Sequence, residues 1–190
     1  MVKLIVNLPC VGLLPKTIST VILTVINSSK MTIFAPFKSH QKSVSDTLKS
    51  TLGVGFPALS RTLGKMPRTV WCGRGLALII GADCPYLDGA ACIDNSDAWA
   101  IVRLDGADTS AILVRLTPID LRALMFKCGY TARTLIGHIT GGVTRFGVQS
   151  FEAMVLRSMV GTLVHELTEV AKKYSGANGN ISLTVYHEDN

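Results

Sequence analysis

The chain has 190 residues, 48% of them hydrophobic and 17% charged, which excludes a disordered polypeptide and fits one domain with a substantial core plus an appended segment. The net charge of +6 points to nucleic acid only until its distribution is read: residues 1–50 hold six lysines against Asp46, while residues 51–190 hold thirteen basic against twelve acidic residues. The body is therefore close to neutral and carries no Lys/Arg run interleaved with aromatics, so no nucleic-acid partner is expected. A mean hydropathy of +0.38 is high for a free monomer and fits either a buried sheet or surface that a partner covers.

Residues 1–43 read as an apolar, basic leader and linker. Pro15 and Lys16 split the apolar stretch into runs well short of the roughly 20 residues that cross a bilayer, so no membrane partner is expected. A signal peptide is poorly matched, because Lys3 stands alone and no small-residue cleavage site follows. Three readings remain: strands packed on the domain, a weak targeting segment, or an upstream start with the protein proper beginning near Met31. The expectation is the last of these, or a poorly packed and disordered extension. "FKSHQKSVSD" reads as a linker, residues 44–176 as the domain, and residues 177–190 as a tail.

Within the body, Ser45 or Asp46 can cap a helix over "TLKSTLGV", which ends in the Gly53, Gly55, Pro57 break. Leu76 to Ile80 is a short apolar run bounded by glycines, the signature of a buried strand. "CIDNSDAWAIVRLDG" predicts another strand, entered through a polar turn at Asp94 to Asp97. Asp108 or Thr109 can cap a helix that Pro118 stops. Thr131 to Ile139 reads as a strand with Arg133, Leu135 and Ile139 on one face and Ala132, Thr134, Ile136 and His138 on the other. Gly141-Gly142 allows a turn or bulge before a returning strand, "SFEAMVLR". Val160, Leu163, Val164, Leu167, Val170 and Ala171 recur at helical spacing, with Ser158 placed to cap that helix, Glu169 to pair with Lys173, and Gly176 to end it. The order of elements predicts an α+β fold of two layers, a mostly antiparallel sheet with helices on one face, nearest the ferredoxin-like arrangement.

Signatures of catalysis are missing. There is no G-x-G-x-x-G between strand and helix, no Walker loop and no G-x-S-x-G elbow. The five cysteines (10, 72, 84, 92, 128) show no C-x-x-C, which argues against a zinc site or disulfide framework and for a reducing, cytoplasmic setting. Cys128 and His138 could be nucleophile and base, but a loop thiol and a strand histidine explain them more simply. His165 beside Glu166 reads as a solvated or interface histidine, and Asp94 with Asp97 as a turn rather than an acid pair. Arg133, Arg145 and Arg157 could converge on a carboxylate or phosphate or could face a subunit. No catalytic, cofactor-binding or metal residue is assigned. Arg133, His138, Arg145 and Arg157 are the interface or anion-binding candidates.

"SDAWAIVRLDG", "PIDL", "F-x-x-G-x-x-A-R-T-L-I-G-H" and "FEAMVLRSM" followed by the amphipathic helix occur in order between Asp94 and Leu167. This run resembles the γ subunit of heterotetrameric sarcosine oxidase, more loosely from Val44 onward. The resemblance implies a fold similar to the folate-binding domain of the glycine-cleavage aminomethyltransferase. It implies a non-catalytic accessory role, beside α, β and δ subunits, in a complex that oxidatively demethylates sarcosine to glycine. That complex yields hydrogen peroxide with formaldehyde or methylene-tetrahydrofolate. FAD, FMN, NAD, zinc and tetrahydrofolate are implied for the other subunits, none for this chain. The equivalent subunit of N-methylglutamate dehydrogenase and a stand-alone folate-binding one-carbon protein are the alternative readings. Related aminomethyltransferases carry acidic residues soon after a Gly-Gly; here Val143, Thr144 and Arg145 follow it. The family's prolines before the loop glycine are replaced by Lys127 and Cys128.

Overall fold

The structure is a computed structural model, and it describes residues 10, 12–28 and 30–181, with side chains described as far as residue 176. Eleven strands and three helices are found there: β1 (Lys16–Ile18), β2 (Val21–Ile26), β3 (Met31–Pro36), α1 (Gln41–Leu52), β4 (Thr62–Leu63), β5 (Arg68–Gly73), β6 (Leu76–Ile80), β7 (Ala90–Asp94), β8 (Trp99–Asp105), α2 (Thr109–Leu113), β9 (Thr131–Ile136), β10 (Ile139–Arg145), β11 (Ser150–Leu156) and α3 (Val160–Ile181). They form two antiparallel sheets. One has the order β1-β2-β8-β11-β10-β9, the other β4-β5-β6-β3-β7.

Alternation along the strands shows how the sheets stack. On β8, Ala100, Val102 and Leu104 join Phe151, Ala153 and Val155 of β11 and Leu163, Val164 and Leu167 of α3 in one core. Ile101 of β8 points the other way and packs with Met31, Val70, Leu78 and Ile80 of the second sheet. The outer face of that second sheet, Phe34, Ala77 and Ile79, is covered by Val44 and Leu48 of α1. The two sheets therefore face each other, and each carries its helices on its one outer face. The α+β class with antiparallel sheets holds, and the strand-by-strand alternation makes both faces of the central strands apolar.

Between the two sheets the apolar packing gives way to charge. Glu152 of β11 is 3% exposed and lies between two arginines. Arg68 of β5, 2% exposed, reaches it with both terminal nitrogens, Nη1 to Oε1 at 3.3 Å and Nη2 to Oε2 at 2.5 Å. Arg103 of β8 donates from Nη2 to Oε1 at 2.5 Å. Both guanidinium groups also lie against the ring of Phe146, at 4.6 and 5.4 Å from its centroid.

The reading that set residues 1–43 apart from the domain is replaced by the strand pairing. β2 pairs along β8, from Ile22↔Asp105 to Ile26↔Ile101, and β3 sits between β6 and β7. Val21, Leu23, Met31 and Phe34 are buried. The apolar runs that resemble a leader are internal strands: β3 packs apolar side chains on both faces, while β2 buries Val21 and Leu23 and leaves Ile22, on its other face, 47% exposed. Residues 1–9 lie outside the described residues, as do residues 182–190 of the tail. The supposed linker supplies the first half of α1, which starts at Gln41 after His40, not at Ser45 or Asp46.

Three smaller differences follow from backbone geometry. The β9–β10 reversal falls at Gly137, whose φ of +58° admits the left-handed turn, and not at Gly141-Gly142, which lie inside β10. Gly141 is needed there because a Cβ would meet the carbonyl oxygen of Met154 at 2.5 Å. The final helix begins after a 3-10 turn, Arg157–Met159, and runs past Gly176 to Ile181; Glu169 pairs with Lys172 rather than Lys173, at 3.0 Å. Among the described residues no helix is long and apolar enough to cross a membrane.

Two outcomes test this architecture. Glu152→Ala leaves two guanidinium groups facing each other between the sheets and should destabilise the chain by about 3–5 kcal/mol in chemical denaturation. A smaller loss for Glu152→Ala than for Val102→Ala, a plain core truncation costing roughly 1–3 kcal/mol, would show that the ion cluster does not join the sheets. A chain beginning at Met31 lacks β2 and bares the edge of β8. It should lose cooperative unfolding and near-UV circular dichroism, whereas a true leader could be removed without effect.

Candidate functional site

Arg145 ends β10 and is 4% exposed. A buried guanidinium needs acceptors for its donors, and backbone carbonyls supply them: Nε to Gly147 at 3.0 Å, Nη1 to Leu121 at 3.2 Å and Phe126 at 3.0 Å, and Nη2 to Val148 at 2.6 Å. The ring of Phe151 lies 5.0 Å beneath it. Four of its five N–H donors are thus committed to main chain, and Arg145 cannot serve an external anion. It ties the 121–126 loop to the β10–β11 turn. The outer sides of those two segments carry Leu124, Met125 and Val148, which are 85%, 60% and 75% exposed.

Arg133 lies on β9 opposite Gly142 and is exposed, with Nη1 donating to the Cys72 carbonyl at 3.1 Å. It stands at the rim of a narrow cleft where the sheets part, between Trp71, Trp99, Ile33, Met154 and the two glycines of β10. Water centres can occupy about 50 Å³ of this cleft, room for a few waters. Burial pushes the Cys72 thiol up to about 11, against a smaller opposing pull from Arg133. That thiol is a packed hydrophobe rather than a nucleophile.

Arg157 sits in the 3-10 turn, half-buried, with Nη1 3.7 Å from Asp97. The three arginines therefore serve three separate places and form no common anion site. Asp94 is held low by hydrogen bonds from the Ser96 hydroxyl at 2.6 Å and the Ser96 amide at 2.9 Å, the Asx turn that its position in sequence predicts.

His138 is exposed at the β9–β10 turn. It shares an open groove with Arg115, His165, Glu166, Glu169 and Lys173. The Glu166 carboxylate packs on the Cα of Gly137, where a Cβ would lie 1.7 Å from Oε2. In sequence His138 and His165 belong to separate elements, and only the packing of α3 beside the hairpin turn brings them to one groove. Among the described residues no three His, Cys, Asp or Glu side chains are grouped to hold a metal ion.

Cys128 is not part of that groove. It precedes β9 and His138 follows it, so six extended residues separate them by roughly 17–20 Å. The nucleophile–base reading is thereby excluded. A pterin is held largely through a carboxylate that accepts its ring N–H groups. After Gly141-Gly142 the structure offers Val143 in the core, Thr144 hydrogen-bonded to Thr131 at 2.8 Å, and the caged Arg145. The carboxylate paired across from Thr144 is Glu152, already engaged by Arg68 and Arg103. The positions that follow Gly141-Gly142 therefore offer no free carboxylate to a pterin.

No protein-family model matches the chain, and no curated protein matches it. Among solved structures, a chain of the heterotetrameric sarcosine oxidase of Corynebacterium sp. U-96, in complex with pyrrole 2-carboxylate, superposes with a TM-score of 0.73. The two are 19% identical, over 86% of this chain and 90% of that one. An aspartate kinase of Clostridium acetobutylicum aligns with a TM-score of only 0.39 at 11% identity, over 81% of this chain and 34% of that one, too loosely to bear on the fold. The chain shares its fold with a chain of a heterotetrameric sarcosine oxidase.

Proposed function

We propose that this chain is an accessory subunit, γ-like, of a cytoplasmic flavoenzyme complex of the heterotetrameric sarcosine oxidase type, and that it acts by assembly rather than by chemistry of its own. The observation that carries this reading is the shared fold over 86% of this chain and 90% of the sarcosine oxidase chain. The ordered motifs between Asp94 and Leu167 support it. So does the use of the candidate site residues: Arg145 is consumed by four carbonyls, Glu152 by two arginines, and Cys128 has no base beside it. On this reading the flavins, NAD, zinc and tetrahydrofolate belong to the α, β and δ subunits. The complex oxidises sarcosine or, in the sister enzyme, N-methylglutamate.

The surface that Arg145 organises is the one assigned to a partner subunit. Leu124, Met125 and Val148 stand out from two loops whose backbones one guanidinium fixes. Exposed apolar side chains on a preordered backbone lose little conformational entropy on docking.

Co-expression with the α, β and δ subunits of such an oxidase should give co-elution in size exclusion. Leu124→Asp with Val148→Asp should weaken assembly at least about 100-fold, since each apolar anchor contributes roughly 1.5–3 kcal/mol. Its unfolding midpoint should match that of the unaltered chain. Elution of the unaltered chain alone, as a stable monomer beside an assembled αβδ complex, overturns the proposal.

A further inference from the structure

Cys84 and Cys92 carry no sequence motif, yet the fold brings them together. Cys92 lies on β7, the edge strand of the second sheet, and Cys84 in the loop that leads from β6. Their sulfurs are 3.6 Å apart, with the Cys84 thiol also near the Pro85 carbonyl at 3.4 Å. Both are free, Cys92 exposed and Cys84 half-buried. The loop between them is anchored at its middle: Leu87 is 5% exposed against the α1 core, and the Gly89 carbonyl accepts the Phe37 amide at 2.7 Å. Tyr86 stands out of it, 88% exposed. A disulfide needs sulfurs near 2.05 Å, so oxidation must bring the two sulfurs closer by about 1.5 Å.

We propose that Cys84 and Cys92 form a reversible dithiol–disulfide site that takes low-molecular-weight disulfides of the glutathione type as oxidant. The Cys92 thiolate, accessible on the edge strand, attacks one sulfur of the oxidant. That S–S bond breaks, one thiolate leaves, and a mixed disulfide forms on Cys92. Cys84 then gives up its proton and attacks the Cys92 sulfur, releasing the second thiol. Two electrons and two protons pass from the protein to the oxidant, which ends as two thiols.

The asymmetry of the pair fits these roles. Cys84 is pushed up to about 12, first by burial, then by its hydrogen bond to Cys92 and by the Cys92 charge. It is thus the poorer first attacker. Once Cys92 is capped, the hydrogen-bond and charge contributions vanish, and Cys84 ionises more readily for the second step. Cys128, exposed and without a neighbouring thiol among the described residues, is the internal control.

The test uses the full chain treated with glutathione disulfide, alkylated with iodoacetamide, and digested with trypsin. Cleavage after Arg74 and Arg103 leaves both cysteines, and no other, in one peptide. The expected product is that peptide with neither cysteine alkylated and two hydrogens lighter, about 2 Da, restored to double alkylation by dithiothreitol. Cys128 should carry only a glutathione adduct. Cys84→Ser should arrest the reaction at a glutathione adduct on Cys92, and Cys92→Ser should leave Cys84 alkylatable after denaturation. The proposal is overturned if the unaltered chain stops at a glutathione adduct on Cys92, or if both thiols stay alkylatable while Cys128 reacts.

Discussion

The position of one carboxylate governs much of this molecule. Glu152 projects from β11 into the space between two sheets, where water cannot solvate it, and two arginines from β5 and β8 meet it there. A buried ion pair of this kind contributes little net stability, because desolvation offsets the attraction, but removing one member is costly. Its effect is on specificity. Arg68 and Glu152 are 84 residues apart in the chain, and only one way of laying the second sheet on the first satisfies both. The Phe146 ring, between the strands and beneath both guanidiniums, closes the cluster from the side.

With that register set, the remaining layers follow. Residues alternating with Glu152 on β11, Phe151 and Ala153, face away from the second sheet and require the apolar stripe of α3. Ile79 and Ala77, alternating with Leu78 and Ile80 on β6, require α1 on the opposite side. The Arg145 cage solves a similar problem without a carboxylate. There a charged group is buried among main-chain carbonyls, and the result is a fixed relation between two loops rather than between two sheets.

Where one physical cause acts, the sequence reads directly. The helical stripe from Val160 to Ala171 predicts α3 because one face is wet and the other dry. Leu76 to Ile80 predicts β6, and Asp94 predicts its turn, because strand and Asx turn are local. β2 and β3 are illegible for the opposite reason: β3 is covered on both faces, β2 carries apolar residues on both faces although Ile22 stays 47% exposed, and a continuous apolar run looks like a leader. The second half of α1 is legible up to its Gly53 end, but its start at Gln41 hides because only Val44 and Leu48 of its twelve residues are buried. The roles of Arg145 and Glu152, and the approach of Cys84 to Cys92, depend on partners that other elements deliver. Spacing along the chain carries no trace of them.

The same geometry shows where activity has room to reside. Between the sheets, side chains and an ion cluster whose carboxylate is already paired take up most of the space, and the cleft beside Arg133 has room for a few waters. The donors of Arg145 face carbonyls of their own chain. A fold that commits its interior charges to itself leaves its outer loops and its exposed edge strand as the surfaces able to act on another molecule. Leu124, Met125 and Val148 on one side, and Tyr86 and Cys92 on the other, are the exposed groups fixed from within. Rigid display of Leu124, Met125 and Val148 reduces the ordering cost of docking, whereas Cys92 presents a thiol on an edge strand.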